Sequence, residues 1–506
     1  MASPRDIANR LPITGALLLA SLLVAVDITI ANVALPHMQG SFSSSQDQTA
    51  WVLTSYIVAT ALMTPLSGWL ASRIGYKRIF LISIGGFTLA SVMCGASTTL
   101  AEIVVFRFIQ GLCGASLQPL GTTVMLDLFP PRMIGQVMAV SGATIFIAPV
   151  VGPVLGGWLT DQLTWRWVFY INLPIGLMAF AGVWFFMDRG PTMPRRPFDF
   201  LGFGALAVFI VALQLMLDRG PTLDWFGSAE IRTEAVLAAI GFWVFMVQTL
   251  TAKQPFFDRK LALDVNFLTG SFFAVAAAAG LFATLALQPP LMQGLLGYSV
   301  MGAGLVMAPR GAGSLLSMLI VSRLIGRVDT RVVLLCGLTM VATAMLLMTH
   351  YDLSMDSSPF IVAGILQGLG MGLVFIPMNA LAFATLPGHL RADGSIVFAL
   401  VRSLGQSVSI SLTEALFANQ LAVAHGDLAA AVQPGNPTLA AGLPAAQNPA
   451  TGAGLEALNG EVTRQASMVS YLDVFHVCLM SALVIMPLVF FMRPPKTVQT
   501  LDVAAD

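Results

Sequence analysis

LPITGALLLASLLVAVDITIANVALP, residues 11–36, decides the fold. Its one charged residue is Asp27. A hydrocarbon core about 30 Å thick needs roughly 20 apolar residues in a helix, and this stretch exceeds that. Arg5 and Arg10 precede it as they would a secretory leader. It is nevertheless longer than a cleavable apolar segment and carries an acid inside, so it reads as an uncleaved first membrane helix. The period-2 alternation of a membrane barrel strand is missing, and in lipid only a helix or a closed barrel satisfies the backbone.

Working outward, the same kind of run recurs along the chain. The fourteen runs cover approximately residues 13–36, 49–71, 79–98, 100–125, 134–159, 167–187, 200–217, 231–251, 267–288, 301–323, 332–350, 359–384, 393–419 and 471–492. The fold class is therefore all-α, an integral membrane protein of fourteen transmembrane helices. The composition agrees: of 506 residues, 57% are hydrophobic and 10% charged, against roughly 25% charged in a soluble chain. Lys+Arg and Asp+Glu both number 25, and that balance excludes a general affinity for nucleic acid.

Where the charges sit orients the bundle. With the N-terminus in the cytoplasm and one crossing per run, eighteen basic residues fall on cytoplasmic segments, among them Arg73, Lys77, Arg78, Arg195, Arg196, Arg323 and Arg331. The opposite side holds Arg166, Arg219, Arg232 and Arg464, while Arg107, Arg310 and Arg402 stay within runs. This asymmetry follows the positive-inside rule and predicts a multi-pass protein of the bacterial inner (plasma) membrane with both termini cytoplasmic. The proline- and arginine-rich residues 188–199 read as a cytoplasmic linker. Residues 419–470, rich in Ala, Gly and Pro, read as a long periplasmic loop with a mobile middle. Its polar end, 454–470, starts a helix that feeds the last run.

Catalytic chemistry finds no constellation here. Cys94, Cys113, Cys336 and Cys478 lie in apolar runs without zinc or redox spacing, and His37, His350 and His389 sit near run ends without metal-ligand spacing. No metal site and no cofactor are expected. The glycines lack the Lys-Ser/Thr ending of a P-loop, so an ion gradient rather than ATP must supply energy.

Several segments carry local chemistry. GWLASRIGYKR, residues 68–78, closes a tight turn with Gly68 and Gly75 and anchors it with Arg73, Lys77 and Arg78; ordinary snorkelling anchors are the bland alternative. SRLIGRVDTR, residues 322–331, echoes it in the second half and suggests an internal repeat, the architecture of transporters with a site between two related bundles. RFIQGLCGA, residues 107–115, places Arg107 and Gln110 in hydrocarbon. An arginine there serves either function or a structural ion pair. In APVVGPVLGGWL, residues 148–159, Gly152, Gly156 and Gly157 permit close helix approach and Pro153 bends the axis. Asp27 is a functional candidate by default, with a buried structural acid as the alternative. Glu414 is a second acid, nearer the periplasmic end. Asn32, Gln110, Gln118 and Asn379 are candidates to line a cavity, with helix bridging the alternative for Asn379.

Together these segments resemble the major facilitator superfamily, in particular its fourteen-helix drug:proton antiporters of the EmrB/QacA type. GWLASRIGYKR is similar to the loop signature after the second helix, RFIQGLCGA to the fourth-helix signature, and GPVLGG to the fifth-helix signature of antiporters. VDITIANVALP (26–36), WRWVFYINLPIG (165–176), LQLMLDRGPTLDWF (213–226), LGYSVMGAGLVMAPRG (296–311) and QASMVSYLDVF (465–475) extend the resemblance over nearly the whole chain. One departure is Ser72, where the loop signature has Asp; a lock built on that carboxylate must use another acid, such as Asp127.

The resemblance implies a six-helix bundle over residues 1–187 and a linker with two inserted helices over 188–251. A second six-helix bundle with the periplasmic loop at about 420–470 then occupies 252–506. It implies alternating access, proton coupling through Asp27 and Arg107, small lipophilic substrates, and work with a periplasmic adaptor and an outer-membrane channel. The 26 Met and 32 Phe suit a permissive apolar cavity. A dedicated exporter of one amphiphile, such as a fatty acid or siderophore, is the alternative within that class. A membrane enzyme or a sensor without transport is the alternative outside it.

Overall fold

The computed structural model describes residues 8–130, 133, 137, 148, 151–152, 154–188, 198–324, 328–383, 385–387, 390–432 and 451–491. Thirteen helices among them are long and apolar enough to cross a bilayer. In chain order these are α1 (Arg10–Phe42), α2 (Gln46–Ile74), α3 (Tyr76–Ala96), α4 (Leu100–Leu128), α5 (Trp167–Phe186), α6 (Phe200–Arg219), α7 (Ala229–Thr251), α8 (Val265–Leu295), α9 (Val300–Leu324), α10 (Thr330–Met348), α11 (Ser358–Ala382), α12 (Arg391–Ala431) and α13 (Gly452–Ile485). Each matches one predicted run. The remaining run, 134–159, lies largely outside the described residues, as do Pro153 and most of the linker at 188–199.

Short sequence signals set the helix ends. Ser45 and Gln48 form a reciprocal capping box at the start of α2, and Thr99 and Glu102 do the same for α4. Each such cap satisfies backbone donors that would otherwise be orphaned, at roughly 1 kcal/mol apiece. Gly75 takes φ +88° between α2 and α3, a conformation that suits a residue without Cβ.

The predicted loop at 420–470 is corrected at its start, where α12 continues to Ala431. At its end the helix expected over 454–470 is present, α13 beginning at Gly452. The reason is intrinsic propensity: AVAHGDLAAA (422–431) is alanine-rich, and alanine favours helix wherever the chain is solvated. Thr451 caps the returning helix by accepting from the Gly454 amide at 3.1 Å, and His425 bonds Asn459 at 3.1 Å between the two extensions.

Buried apolar side chains gather in separate clusters. Two belong to the N-terminal helices, around Leu17, Phe80 and Phe87 and around Ile30, Met38 and Phe169. A third is built mainly from α8–α13, around Phe273, Met345 and Phe475, with Leu206 and Ile210 of α6 joining it. α7 packs mainly on α6 and turns Phe242, Trp243 and Leu250 outward, as a lipid-facing helix does. Lipid removes the hydrophobic drive between helices, so close packing and hydrogen bonds hold these groups. The N-terminal and C-terminal helices meet at the end that carries the α2–α3 turn. There Gly68 packs against Ile396, and the hydroxyls of Thr123 and Ser395 bond at 2.9 Å.

Candidate functional site

Asp27 lies midway along α1, 1% exposed. Burial of a carboxylate is costly unless donors surround it, and three do. Arg107 of α4 donates from Nη1 to Oδ2 at 2.6 Å. On Oδ1, Gln110 donates from Nε2 at 2.9 Å and Asn172 of α5 from Nδ2 at 2.7 Å. Gln110 follows Arg107 by three residues, so helical spacing puts both on one face. Its carbonyl oxygen also accepts from Arg107 Nη1 at 3.0 Å, and the pair grips the acid from one side.

The guanidinium is held through Nε and Nη1, while its Nη2 has no acceptor among the described residues. Arg107 is fully buried, donates from Nε to the Val52 carbonyl at 3.2 Å, and sits over the rings of Tyr56 (4.6 Å) and Phe169 (5.4 Å). Asn172 also donates to the Ser91 hydroxyl at 2.9 Å, and Ser91 donates to the Phe169 carbonyl at 2.9 Å. Five helices, α1 to α5, thus converge on one ion pair. Its net charge is zero, so it suits a dry interior. Loss of the charge on Asp27 would leave Arg107 a buried cation without its anion, which is costly.

The other predicted residues take varied places. Glu414 of α12 is not a partner of this pair; its charged neighbour is Asp218 of α6, which itself accepts from Thr54 of α2. The Ser411 hydroxyl donates to the Leu217 carbonyl at 2.6 Å, which brings the two acids to one contact between α12 and α6. Gln118 accepts from Arg402 of α12 at 3.4 Å and so links the two halves. Asn379 donates to the Phe375 carbonyl on its own helix at 2.7 Å, and Asn32 is exposed.

Around the α2–α3 turn, Lys77 donates to the Trp184 carbonyl at 2.8 Å, Arg73 stacks on Trp69, and Arg78 is exposed. Ser72 donates to the Trp69 carbonyl at 2.7 Å, a local bond that offers no carboxylate for a lock. Asp127 and Asp393 of α12 both approach Tyr76 at this turn. Gly152 and Gly156 face α1 at Thr29, Ile30 and Val33, one turn beyond Asp27, and Gly157 faces Val300 of α9. Pro153 is outside the described residues. Among the described residues no His, Cys, Asp and Glu cluster could hold a metal ion.

Sequence reasoning singled out Asp27, Arg107 and Gln110 but missed Asn172 and Tyr56. Asn172 was legible only as a polar residue inside the group-like stretch at 165–176.

The sequence matches the Major Facilitator Superfamily profile over residues 17–410. It is 33% identical over 500 residues to the multidrug export protein EmrB of Escherichia coli (strain K12), covering 97% of each chain. It is 33% identical over 490 residues to the fatty acid resistance protein FarB of Neisseria gonorrhoeae, covering 96% of each. The probable multidrug resistance protein EmrY of E. coli matches at 31% over 491 residues, with 96% of each covered. Among solved structures, an inward-facing, unoccupied bacterial homologue of the human lysosomal transporter Spinster shares the fold. Its TM-score is 0.55 at 18% identity, over 97% of this chain and 99% of that one.

Proposed function

The chain belongs to the Major Facilitator Superfamily, among its EmrB-type drug:proton antiporters, and on that premise we propose that it exports lipophilic drugs by alternating access, driven by protons through Asp27. It is a multi-pass membrane transporter rather than an enzyme. The observation that carries the coupling is the buried Asp27–Arg107 pair at 2.6 Å, closed by Gln110 and Asn172. A proton taken from the periplasmic side neutralises Asp27 and frees Arg107 from it. The N-terminal helices then rearrange until Arg107 finds water or another acceptor. Loss of the proton to the cytoplasm re-forms the pair and resets the cycle. Glu414, beside Asp218, is the next acid in line for a proton.

Similarity to FarB favours a second reading within the class, a dedicated exporter of a fatty acid. Inverted vesicles with an imposed pH gradient separate the two. A multidrug exporter moves several chemically unrelated dyes and drugs in a gradient-dependent way, whereas a dedicated exporter moves one amphiphile and none of the others.

The setting proposed is the bacterial inner membrane, with the termini cytoplasmic and the α12–α13 extensions in the periplasm. The solvated extension helices, tied at His425 and Asn459, are where a periplasmic adaptor leading to an outer-membrane channel would dock. Deleting candidate adaptors should abolish export across the envelope while leaving transport in vesicles intact.

A further inference from the structure

The C-terminal helices bury a second guanidinium that has no acid. Arg310 of α9 is 6% exposed. It donates from Nη1 to the Gln288 Oε1 at 3.2 Å, and from Nη2 to the Thr284 hydroxyl at 2.6 Å and to the Gln367 side-chain carbonyl. All three acceptors are neutral. No carboxylate pairs with Arg310 among the described residues, and its Nε–H has no acceptor. The nearby Tyr351 hydroxyl, also buried, has none either.

The internal repeat shows what is missing. Gln110-Gly111-Leu112 of α4 recurs as Gln367-Gly368-Leu369 of α11. Gly111 faces the Tyr56 carbonyl of α2, and Gly368 faces the Arg310 carbonyl of α9, so Arg310 stands where Tyr56 stands in the first half. Position 107 becomes Gly364, which packs on Arg310. Each half therefore carries one guanidinium beside the repeated glutamine. In the first half Asp27 neutralises it; in the second, α8 brings only Thr284 and Gln288. A buried cation without an anion costs several kcal/mol, and an intramembrane arginine kept under those terms marks a ligand path by default.

Helix irregularities flank the same place. In α8, Gln288 is followed by Pro289 and Pro290 and then by a π-helical turn, Leu291–Leu295. In α9, Pro309 directly precedes Arg310. π-turns concentrate at functional positions. Neutral oxygens, two unused donors and an uncompensated charge, beside a π-turn and an in-helix proline, describe a site lacking one acceptor anion.

We infer that the Arg310 guanidinium and the Tyr351 hydroxyl receive the carboxylate head group of an exported amphiphile, whose apolar tail lies among the surrounding Met and Phe side chains; the amide donors of Gln288 and Gln367 are already taken by Met348 and Thr284. This rests on the exporter reading and adds a charge class to it.

The test compares dodecanoate, dodecanol and dodecyltrimethylammonium, which share one tail, by calorimetric binding to the purified full-length chain in neutral detergent. The wild type should bind dodecanoate about tenfold or more tighter than dodecanol, as a charge-assisted bond implies. Arg310→Gln should lower the dodecanoate-to-dodecyltrimethylammonium affinity ratio by about tenfold, and Arg310→Lys should restore much of it. Equal loss for both charged probes, or an unchanged ratio, makes Arg310 structural and overturns the inference. If Arg310→Gln does not fold, the wild-type comparison decides, and equal binding of dodecanoate and dodecanol overturns it. Thermal stabilisation by chloride as large as that by dodecanoate assigns the site to an inorganic ion and likewise overturns it. Gradient-driven export of a cationic dye by wild-type vesicles is scored separately. Export without carboxylate preference sinks this inference alone, whereas carboxylate binding without any export sinks the exporter reading.

Discussion

Asp27 and Arg107 are each other's counter-charge inside a buried cluster, so loss of either is costly to the other. Arg107→Gln and Asp27→Asn should each cost roughly 3–5 kcal/mol, because each strands a buried charge. The double variant should cost clearly less than the sum, which thermal unfolding in detergent measures; additive losses would mean that the pair is not one unit. Asn172→Ala removes one donor to Asp27 and should cost roughly 1–3 kcal/mol while slowing, not abolishing, export. The charged members of this cluster were legible in the sequence because an ionisable residue in an apolar run has few bland explanations. Gln110 was legible only as a polar residue able to line a cavity. Asn172 was not legible, since a neutral amide at the start of α5 announces nothing until α1 is known to lie opposite. Gln118 and Asn379 looked alike as polar residues in apolar runs. Only helix rotation separates Gln118, which reaches Arg402, from Asn379, which bonds its own backbone.

At the scale of elements, hydropathy placed thirteen described helices because a bilayer sets their length more strictly than water sets that of a soluble helix. It missed the helix over 420–431, where α12 leaves the apolar zone and alanine content takes over from hydropathy as the deciding term, while the polar helix expected over 454–470 is present. α12 is 41 residues long and α13 is 34, beyond what a bilayer requires. The positive-inside asymmetry then makes a definite statement about sides. In a chain whose four native cysteines are replaced, Ser72→Cys should react with an impermeant maleimide only from the cytoplasmic face and Asn459→Cys only from the periplasmic face. Labelling of both from one side would remove the topology on which the proton path depends.

For the whole molecule, the two halves are joined at the α2–α3 end by Thr123–Ser395 and Gly68–Ile396. α6 bridges them further along through Thr54–Asp218 and Ser411–Leu217. If export requires the halves to part at the α2–α3 end once per cycle, tying them there must stop it. The Thr123→Cys and Ser395→Cys pair should cross-link under mild oxidation and abolish export, with recovery on reduction. Undiminished turnover by the cross-linked chain would exclude rocking about this contact. The division into two bundles rests on the family resemblance alone, since no composition shift other than the linker at 188–199 marks a boundary in the sequence. The central claim remains that Asp27 carries the proton that drives export. It is tested most directly in proteoliposomes of the wild type and Asp27→Asn, with substrate movement and internal pH followed together. The account predicts that wild-type protein drives protons one way as substrate moves the other, and accumulates substrate when a pH gradient is imposed. Asp27→Asn should show neither, while still exchanging substrate down its own gradient. Uphill accumulation by Asp27→Asn at the wild-type rate, with matching proton movement, would contradict it and make Asp27 a structural acid.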